Sequence, residues 1–457
     1  MPVPTPDAMT AQPRAARPAQ STTSEAGAEA PGASFFRPGA APPTPARKST
    51  MSAGAPPVGA PDAAPAKRSA TAAPTTAVAR CDHPPRLAGR KPRLPAEVSA
   101  ASCAPLDGLD PTALGVTYWF EAPPDGEPRA QSVLLKGRLV EPDEGQSKAP
   151  TAFEIVTTVH EVIPGSGWQC VTTRIPDVAP GRWDVTATPL AGSRPGSVQR
   201  TPVGRPGLAR GLASGRTGFG MLVDALAPGV WAGSWSALVS LGFVLGLSLQ
   251  AVLAGVLGLG WAPLTGVTLV AGALGLVGAK GYYLLTHPVE RRRSIRVPGM
   301  SVQGFVIVAL ATLAVGALLL SVPVGAVLDA TAPGLFLGMT VGRLGCLFAG
   351  CCVGRPTASR WGLWSSDRHV GVRRIPVQLM ESSLCAALTA LSAIAVGTSP
   401  VAGSGLVLVV GFAAYLVGRQ LLFPLRAVGR VTRNGRMVTL VVASAVLATG
   451  LVVMWSA

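Results

Sequence analysis

Seven apolar runs follow one another in the second half of the chain, from about residue 236 almost to the C-terminus. Each run has roughly 20 residues, the length at which an α-helix crosses the ~30 Å hydrocarbon core of a bilayer. The runs lie near residues 236–259, 263–285, 300–321, 325–349, 377–397, 401–424 and 437–455. Glycine is frequent inside them, which allows close contact between helices in lipid. Residues 236–457 are therefore predicted to form an all-α polytopic membrane bundle of about seven transmembrane helices.

The first 95 residues have a different composition, dominated by Ala, Pro, Ser and Thr. Large apolar residues are too few to offset the entropy lost on folding, so we predict that residues 1–95 are disordered. This segment has no apolar run of the signal-peptide type. We therefore expect membrane insertion to begin with an internal span.

Short strand-like stretches lie between residues 96 and 192. They are rich in Val, Thr and aromatic residues and are separated by Pro, Gly and Asp, which predicts a small all-β, sandwich-like domain. The stretches are residues 115–121, 131–140, 152–159, 167–175 and 181–188. We expect Trp119, Trp168 and Trp183 to supply the core. Residues 193–235 are rich in Gly, Pro and Arg and predict a linker that ends in an interfacial stretch.

The net charge of +16 raises the question of a nucleic-acid partner. Much of the Arg lies in short loops beside the apolar runs, where basic residues face the cytoplasm or anionic lipid headgroups. The sequence shows no basic face interleaved with aromatic residues, so we predict that nucleic acid is not a partner. We expect a multi-pass protein of the bacterial plasma (inner) membrane.

Several polar residues lie at membrane depth, where ionisable groups are costly and usually face a cavity or a partner. They are Lys280, Asp329, Arg343, Glu381, Arg419 and Arg426, with Gln303, Gln378 and Tyr415 as uncharged members. A guanidinium group offers a rigid fork of donors that matches phosphate oxygens. The arginines therefore predict binding of a phospholipid headgroup. Asp329 or Glu381 could instead pair with them structurally, and some could be interfacial side chains that reach towards water.

Four motifs occur in order along these runs. Residues 342–355 read GRLGCLFAGCCVGR, preceded by Asp329 and Pro333. The others are PGMSVQGF at residues 298–305, the set Arg374, Pro376, Gln378, Leu379 and Glu381, and the set Tyr415, Arg419 and Arg426. Together they resemble the motifs of prolipoprotein diacylglyceryl transferases, whose signature runs G-R-x-G-N-F-x-N-G-E-x-x-G. The resemblance covers residues from about 230 to 457.

The resemblance implies a transfer of diacylglyceryl from phosphatidylglycerol to the lipobox cysteine thiol of a preprolipoprotein, with release of glycerol phosphate. A phosphate leaving group needs cationic donors. By this resemblance, the expected catalytic residues are Arg343, Arg419, Gln303, Cys346 and Tyr415. The expected substrate-binding residues are Arg343, Gly354, Arg374, Gln378, Glu381, Arg419 and Arg426. We predict that the reaction needs no metal and no diffusible cofactor.

Some positions depart from the family pattern. Cys346 and Cys351 stand where the signature has Asn and Glu, and Gln303 and Ile375 replace two motif histidines. Phe423 replaces an acidic residue between the C-terminal arginines. Gln303 cannot take a proton at neutral pH. The alternative functions are therefore a phospholipid-binding membrane protein with lost or altered catalysis, and a membrane thiol-redox protein.

The cysteines of the signature, Cys346, Cys351 and Cys352, allow three interpretations. They are small apolar filler in a tightly packed span end, or reactive thiols whose pKa is lowered by nearby arginines, or metal ligands completed by His369. Adjacent cysteines are expected to point in different directions, which disfavours the metal site.

The expected sidedness of the membrane protein is contradictory. The loop between the second and third spans carries Arg291–Arg293 and Arg296, and positive-inside counting puts this loop and the N-terminus in the cytoplasm. The family resemblance implies the reverse, with the N-terminus and the active face outside. We favour the family topology.

Overall fold

The computed structural model describes residues 96–99, 111–143, 149–190, 208–286, 301–427 and 434–457. The predicted disordered segment, residues 1–95, lies outside the described residues, as does the arginine loop of residues 291–296.

The described strands are β1 Ala96–Ser99, β2 Thr112–Glu121, β3 Arg129–Pro142, β4 Ala152–Val162, β5 Trp168–Pro176, β6 Gly181–Pro189, β7 Gly211–Arg216, β8 Gly218–Phe219, β9 Leu363–Ser366 and β10 Val370–Arg374. They form two antiparallel sheets, one with the order β1-β2-β5-β10-β9 and β8 paired to β2, the other with the order β4-β3-β6-β7. All but β9 and β10 come from the N-terminal part of the described chain, and a β-sandwich-like region is thereby confirmed. Strands β2 to β6 each overlap a stretch predicted from the sequence.

The core between the sheets contains Tyr118 and Phe120 of β2 and Trp183 of β6, all fully buried. Side chains alternate between the two faces of a strand, so Trp119 points away from this core. Its ring stacks on Trp364 of β9, with centroids 5.7 Å apart. Of the three tryptophans expected in the core, Trp183 lies there, whereas Trp119 and Trp168 lie outside the core cluster.

The described part of the segment predicted as a linker, residues 208–235, contributes to the sandwich. It supplies β7, β8 and the short helix α1, Gly220–Ala225. The Tyr118 hydroxyl donates a hydrogen bond of 2.7 Å to the backbone oxygen of Ala209, which holds this segment against β2. β7 is rich in glycine, so a prediction based on alternating apolar residues does not detect it.

In the residues that the structure describes, seven long helices follow α1: α2 Ser234–Val256, α3 Trp261–Thr286, α4 Val302–Leu319, α5 Val324–Phe348, α6 Val377–Thr398, α7 Leu406–Leu422 and α8 Gly435–Ser456. By length and composition, six of the helices in the described residues can cross a membrane, and α4 is a shorter apolar helix. The chain is therefore a multi-pass membrane protein, and the expected set of about seven helices is confirmed.

Helices α2 and α5 approach each other through glycines. A Cβ atom on Gly246 would lie 2.6 Å from the backbone oxygen of Gly334, and one on Gly242 would lie 2.8 Å from that of Gly338. Any larger residue would force the helices apart, because backbone atoms cannot yield as flexible side chains do. This contact fixes α5, the helix that carries Arg343 and Cys346.

The hairpin of β9 and β10 ties the bundle to the sandwich. It lies between α5 and α6 in the sequence, yet Val370 pairs with Val171 and Gly371 with Cys170 of β5. A side chain on Gly371 would meet the sulfur of Cys170 at 2.6 Å, so glycine permits the close approach. The sandwich is thereby attached at the end of the bundle where α5 finishes and α6 begins.

Candidate functional site

Three helix ends meet around the carboxylate of Glu381, which lies on α6 and is 1% exposed. Nε of Arg343, near the end of α5, is 3.1 Å from Glu381 Oε2. Nη1 of Arg426, just after α7, is 3.4 Å from Oε1. One buried carboxylate therefore holds two buried guanidinium groups that are separated by about 80 residues in the sequence.

Tyr415 on α7 extends this group. Its hydroxyl oxygen accepts a hydrogen bond of 3.2 Å from Arg343 Nη2 and another of 2.9 Å from Arg419 Nη1. Because the oxygen accepts both bonds, the hydroxyl hydrogen is left to donate. We call Arg343, Arg419, Arg426, Glu381 and Tyr415 the arginine cluster. Three guanidinium groups and one carboxylate leave this cluster with an excess of positive charge, which suits an anionic ligand.

One buried donor of the cluster has no hydrogen-bond partner among the residues that the structure describes. Arg426 is 6% exposed, and its Nε has no hydrogen-bond partner within the described part of the chain. An unsatisfied buried donor costs about 1–3 kcal/mol, more when the group is charged. A phosphate oxygen is the kind of acceptor that would satisfy it.

The loop that follows α5 is held from two sides. Gln378 Nε2 donates a hydrogen bond of 3.1 Å to the backbone oxygen of Cys351. Gly354 forms an isolated bridge with Arg426, and a Cβ atom on Gly354 would lie 2.1 Å from the backbone oxygen of Ile375. The contacts of Gln378 and Gly354 therefore position the loop and Arg426.

Arg374 lies on β10, beside this loop. Its Nη1 donates to the backbone oxygen of Gly354 at 3.2 Å, and its Nη2 is 2.7 Å from Asp367 Oδ2. Burial lowers the pKa of the Arg374 guanidinium, and Asp367 acts against that effect. Asp367, which sequence reasoning missed, also accepts hydrogen bonds from the backbone of His369 and Val370. An acidic residue in a turn before a strand is a signal that the sequence does contain.

Asp329 lies away from the arginine cluster, so the alternative that it pairs with the arginines is wrong. Its carboxylate accepts backbone N–H bonds from Gly403, Gly405 and Leu408 at 2.9–3.1 Å and so caps the start of α7, at the other end of the bundle. Gln303, expected to be catalytic, is exposed near the start of α4 and accepts a hydrogen bond of 2.7 Å from Ser301. Gln303 makes no hydrogen bond to the cluster within the described residues.

The sulfur atoms of Cys346, Cys351 and Cys352 all lie within 4.8 Å of one another, and we call them the thiol cluster. The expectation that adjacent cysteines diverge is wrong here, because Cys352 adopts a left-handed backbone conformation with φ of 55°. Hydrogen bonds within the cluster, followed by the charges of Arg426 and Arg343, lower the pKa of the Cys352 thiol against the opposing effect of burial. His369 does not join the cluster, since its Nδ1 lies 2.9 Å from the backbone oxygen of Thr172.

Comparison with known proteins bears on the same part of the chain. The family model of prolipoprotein diacylglyceryl transferase matches residues 228–456, half of the chain. Phosphatidylglycerol–prolipoprotein diacylglyceryl transferase 2 of Streptomyces coelicolor is 33% identical over 168 residues, which are 34% of this chain and 53% of the relative. The chain thus spans about half the length of this curated relative. The matched residues 228–456 include the whole arginine cluster and the thiol cluster.

Proposed function

The chain belongs to the prolipoprotein diacylglyceryl transferase family, and on that premise we propose that it transfers the diacylglyceryl group of phosphatidylglycerol to the thiol of a lipobox cysteine in a preprolipoprotein. The observation that carries the proposal is the arginine cluster, in which Glu381 fixes Arg343 and Arg426 while Tyr415 joins Arg343 to Arg419. Such a preorganised set of donors can hold a phosphodiester and stabilise the charge that develops on it.

The bonds that form and break in the reaction change the charge on the phosphate of the lipid. The acceptor sulfur forms a bond to the glyceryl carbon, and the bond between that carbon and the phosphate oxygen breaks. The electron pair stays on the departing phosphate, which leaves as glycerol phosphate, and the thiol proton ends on that product or on water. Negative charge on the phosphate therefore grows during the step. Arg343, Arg419 and the hydroxyl hydrogen of Tyr415 supply donors where this charge develops.

A direct test uses the purified full chain, phosphatidylglycerol and a lipobox peptide. We expect mass spectrometry to show the peptide gaining one diacylglyceryl group, with one glycerol phosphate released for each product. Phosphatidylcholine in place of phosphatidylglycerol is the matched donor control, and a peptide with Ser in place of Cys is the acceptor control. Product with the Ser peptide, or no product with the Cys peptide, contradicts the proposal.

A second candidate is binding of phospholipid without transfer. Gln303 favours it, because this residue cannot accept a proton and lies exposed near the start of α4. The same preparation separates the two functions. Binding of phosphatidylglycerol without any modified peptide assigns the chain to the second candidate.

We also propose that the end of the bundle with the arginine cluster faces outward. Positive-inside counting of Arg291–Arg293 and Arg296 gives the opposite answer, so the proposal rests on the family resemblance. Arg343, Arg374 and Arg426 at this end are buried and are not free loop charges, so they do not add to that count.

Labelling in intact cells tests this orientation. Ala358 is exposed before the start of α6 and Thr398 is exposed at its last residue, so Ala358→Cys and Thr398→Cys form a matched pair. We expect a membrane-impermeant maleimide to label position 358 before lysis and position 398 only after lysis, as read by peptide mass spectrometry. The reverse pattern would overturn the outward-facing orientation.

A further inference from the structure

The thiol cluster has no role in the transfer step described above. Three sulfur atoms within 4.8 Å of one another are close enough to bind one tetrahedral ion together. From this geometry we propose that Cys346, Cys351 and Cys352 bind one Zn²⁺ ion, and that its fourth coordination position takes the thiol of the acceptor cysteine. The second half of this proposal rests on the proposed function.

The backbone holds the three sulfur atoms in place. Cys346 lies in the last turn of α5, and its carbonyl accepts a hydrogen bond of 3.0 Å from the backbone N–H of Cys351. The chain then reverses through Gly350, with φ of 68°, and Cys352, with φ of 55°. A left-handed conformation at a residue other than glycine persists only where the surrounding structure imposes it. The reversal turns the side chains of two consecutive cysteines towards the same centre.

Residues around the thiol cluster support metal binding in two ways. Gln378 donates to the backbone oxygen of Cys351 at 3.1 Å and so fixes the loop, as residues around a metal site commonly do. Three thiolates and one Zn²⁺ ion leave one net negative charge. Arg343 and Arg426 both interact electrostatically with Cys352, so this charge has nearby counter-charges.

Three ligands leave one coordination position open, which is the arrangement of a catalytic zinc site rather than a structural one. Within the described residues, no His, Asp or Glu side chain joins the cluster as a fourth ligand. A thiol that binds the ion loses its proton to water and becomes a thiolate. That thiolate then attacks the glyceryl carbon, the phosphate oxygen leaves with the electron pair, and the thioether product dissociates from the ion. This step departs from the metal-free reaction that the sequence predicts, and it activates the acceptor without requiring Gln303 to accept a proton.

The binding test uses the full chain, purified in detergent with a tag that contains no histidine. We expect one Zn²⁺ per chain by elemental analysis, and strong sulfur-to-metal charge-transfer absorption when Co²⁺ replaces it. Cys346→Ser and Cys352→Ser should each weaken Zn²⁺ binding by about 100-fold or more, measured in competition with a chromophoric chelator. Cys385→Ala removes a buried thiol of α6 that lies outside the cluster, and it should leave the affinity unchanged.

Two results would overturn the site itself. One is unchanged Zn²⁺ affinity in both serine variants. The other is an unmodified chain that binds neither Zn²⁺ nor Co²⁺, including one whose intact mass is lower by two hydrogens because a disulfide has formed. The Co²⁺ spectrum of the unmodified chain needs no substitution, so the site can be tested even if a serine variant fails to fold.

The open position is tested with the lipobox peptide. Its addition to the Co²⁺-loaded chain should strengthen the charge-transfer absorption, whereas the Ser peptide should not. If the Cys peptide leaves the spectrum unchanged, the acceptor does not bind the ion. Full transfer by a metal-free chain would also overturn the zinc proposal while leaving the proposed function intact. Metal and peptide binding without transfer would instead reject the proposed function and retain the site.

Discussion

Arg343→Lys is expected to lower the rate of diacylglyceryl transfer by about 100- to 1000-fold, the usual effect of removing one donor from a preorganised anion site. Arg343 uses Nε towards Glu381 and Nη2 towards Tyr415. A lysine has one compact ammonium group on a flexible stem and cannot span both partners in this geometry. It still places a positive charge opposite Glu381, so the variant should fold.

Steady-state kinetics with phosphatidylglycerol and the lipobox peptide measure this effect. The loss should fall mainly on kcat, because the negative charge on the phosphate grows towards the transition state. Arg436→Lys is the matched control, since Arg436 contacts the backbone oxygen of Gln420 at 3.1 Å and lies outside the arginine cluster. Equal rates for Arg343→Lys and Arg436→Lys would remove Arg343 from the catalytic step.

Arg419→Lys tests the contact between Tyr415 and Arg419 separately from the ion pairs of Glu381. Arg419 contacts Tyr415, whereas the ion pairs of Glu381 in the described residues are with Arg343 and Arg426, so replacing Arg419 leaves the buried carboxylate paired. A large loss of rate with unchanged thermal stability would then identify Arg419 as a ligand of the phosphate. Loss of stability without loss of rate would assign it a structural role.

Most of the architecture could be predicted from local patterns. Apolar runs of bilayer length identify the helices, and alternating Val, Thr and aromatic residues identify β2 to β6. The hairpin of β9 and β10 could not be assigned to the sandwich, because its pairing with β5 joins Val370 to Val171 across nearly 200 residues. No periodic signal in the sequence records such a long-range contact.

The site was partly predictable for a related reason. The arginines are visible as charges within apolar sequence, and Glu381 and Tyr415 follow from the motif resemblance. The sequence does not show which acidic residue pairs with the arginines, because Asp329 and Glu381 are equivalent as acidic residues within membrane spans. In the structure the two residues lie at opposite ends of the bundle, since Asp329 contacts the start of α7 and Glu381 lies near the start of α6. The clustering of Cys351 with Cys352 depends on one left-handed residue, which side-chain identity does not reveal.

Glu381→Gln is expected to destabilise the protein by about 3–5 kcal/mol, the cost of leaving buried charge without its partner. The carboxylate contacts Arg343 at 3.1 Å and Arg426 at 3.4 Å, and all three side chains are almost completely buried. Glutamine keeps the shape but removes the charge, so two guanidinium groups would repel each other in a region of low dielectric. The thermal midpoint of the purified chain in detergent should fall accordingly.

The double variant Glu381→Gln with Arg426→Gln tests whether the loss of stability comes from unpaired charge. Removing both partners of a buried ion pair costs less than removing one, so the second substitution should recover part of the lost stability. Glu154→Gln is the matched control, because Glu154 pairs with Lys136 at 3.1 Å where both side chains are about half exposed. Such a surface pair contributes at most about 1 kcal/mol. If the double variant is less stable than Glu381→Gln alone, Arg426 is held in place by contacts other than the carboxylate. In that case Glu381 is not the residue that preorganises the anion site.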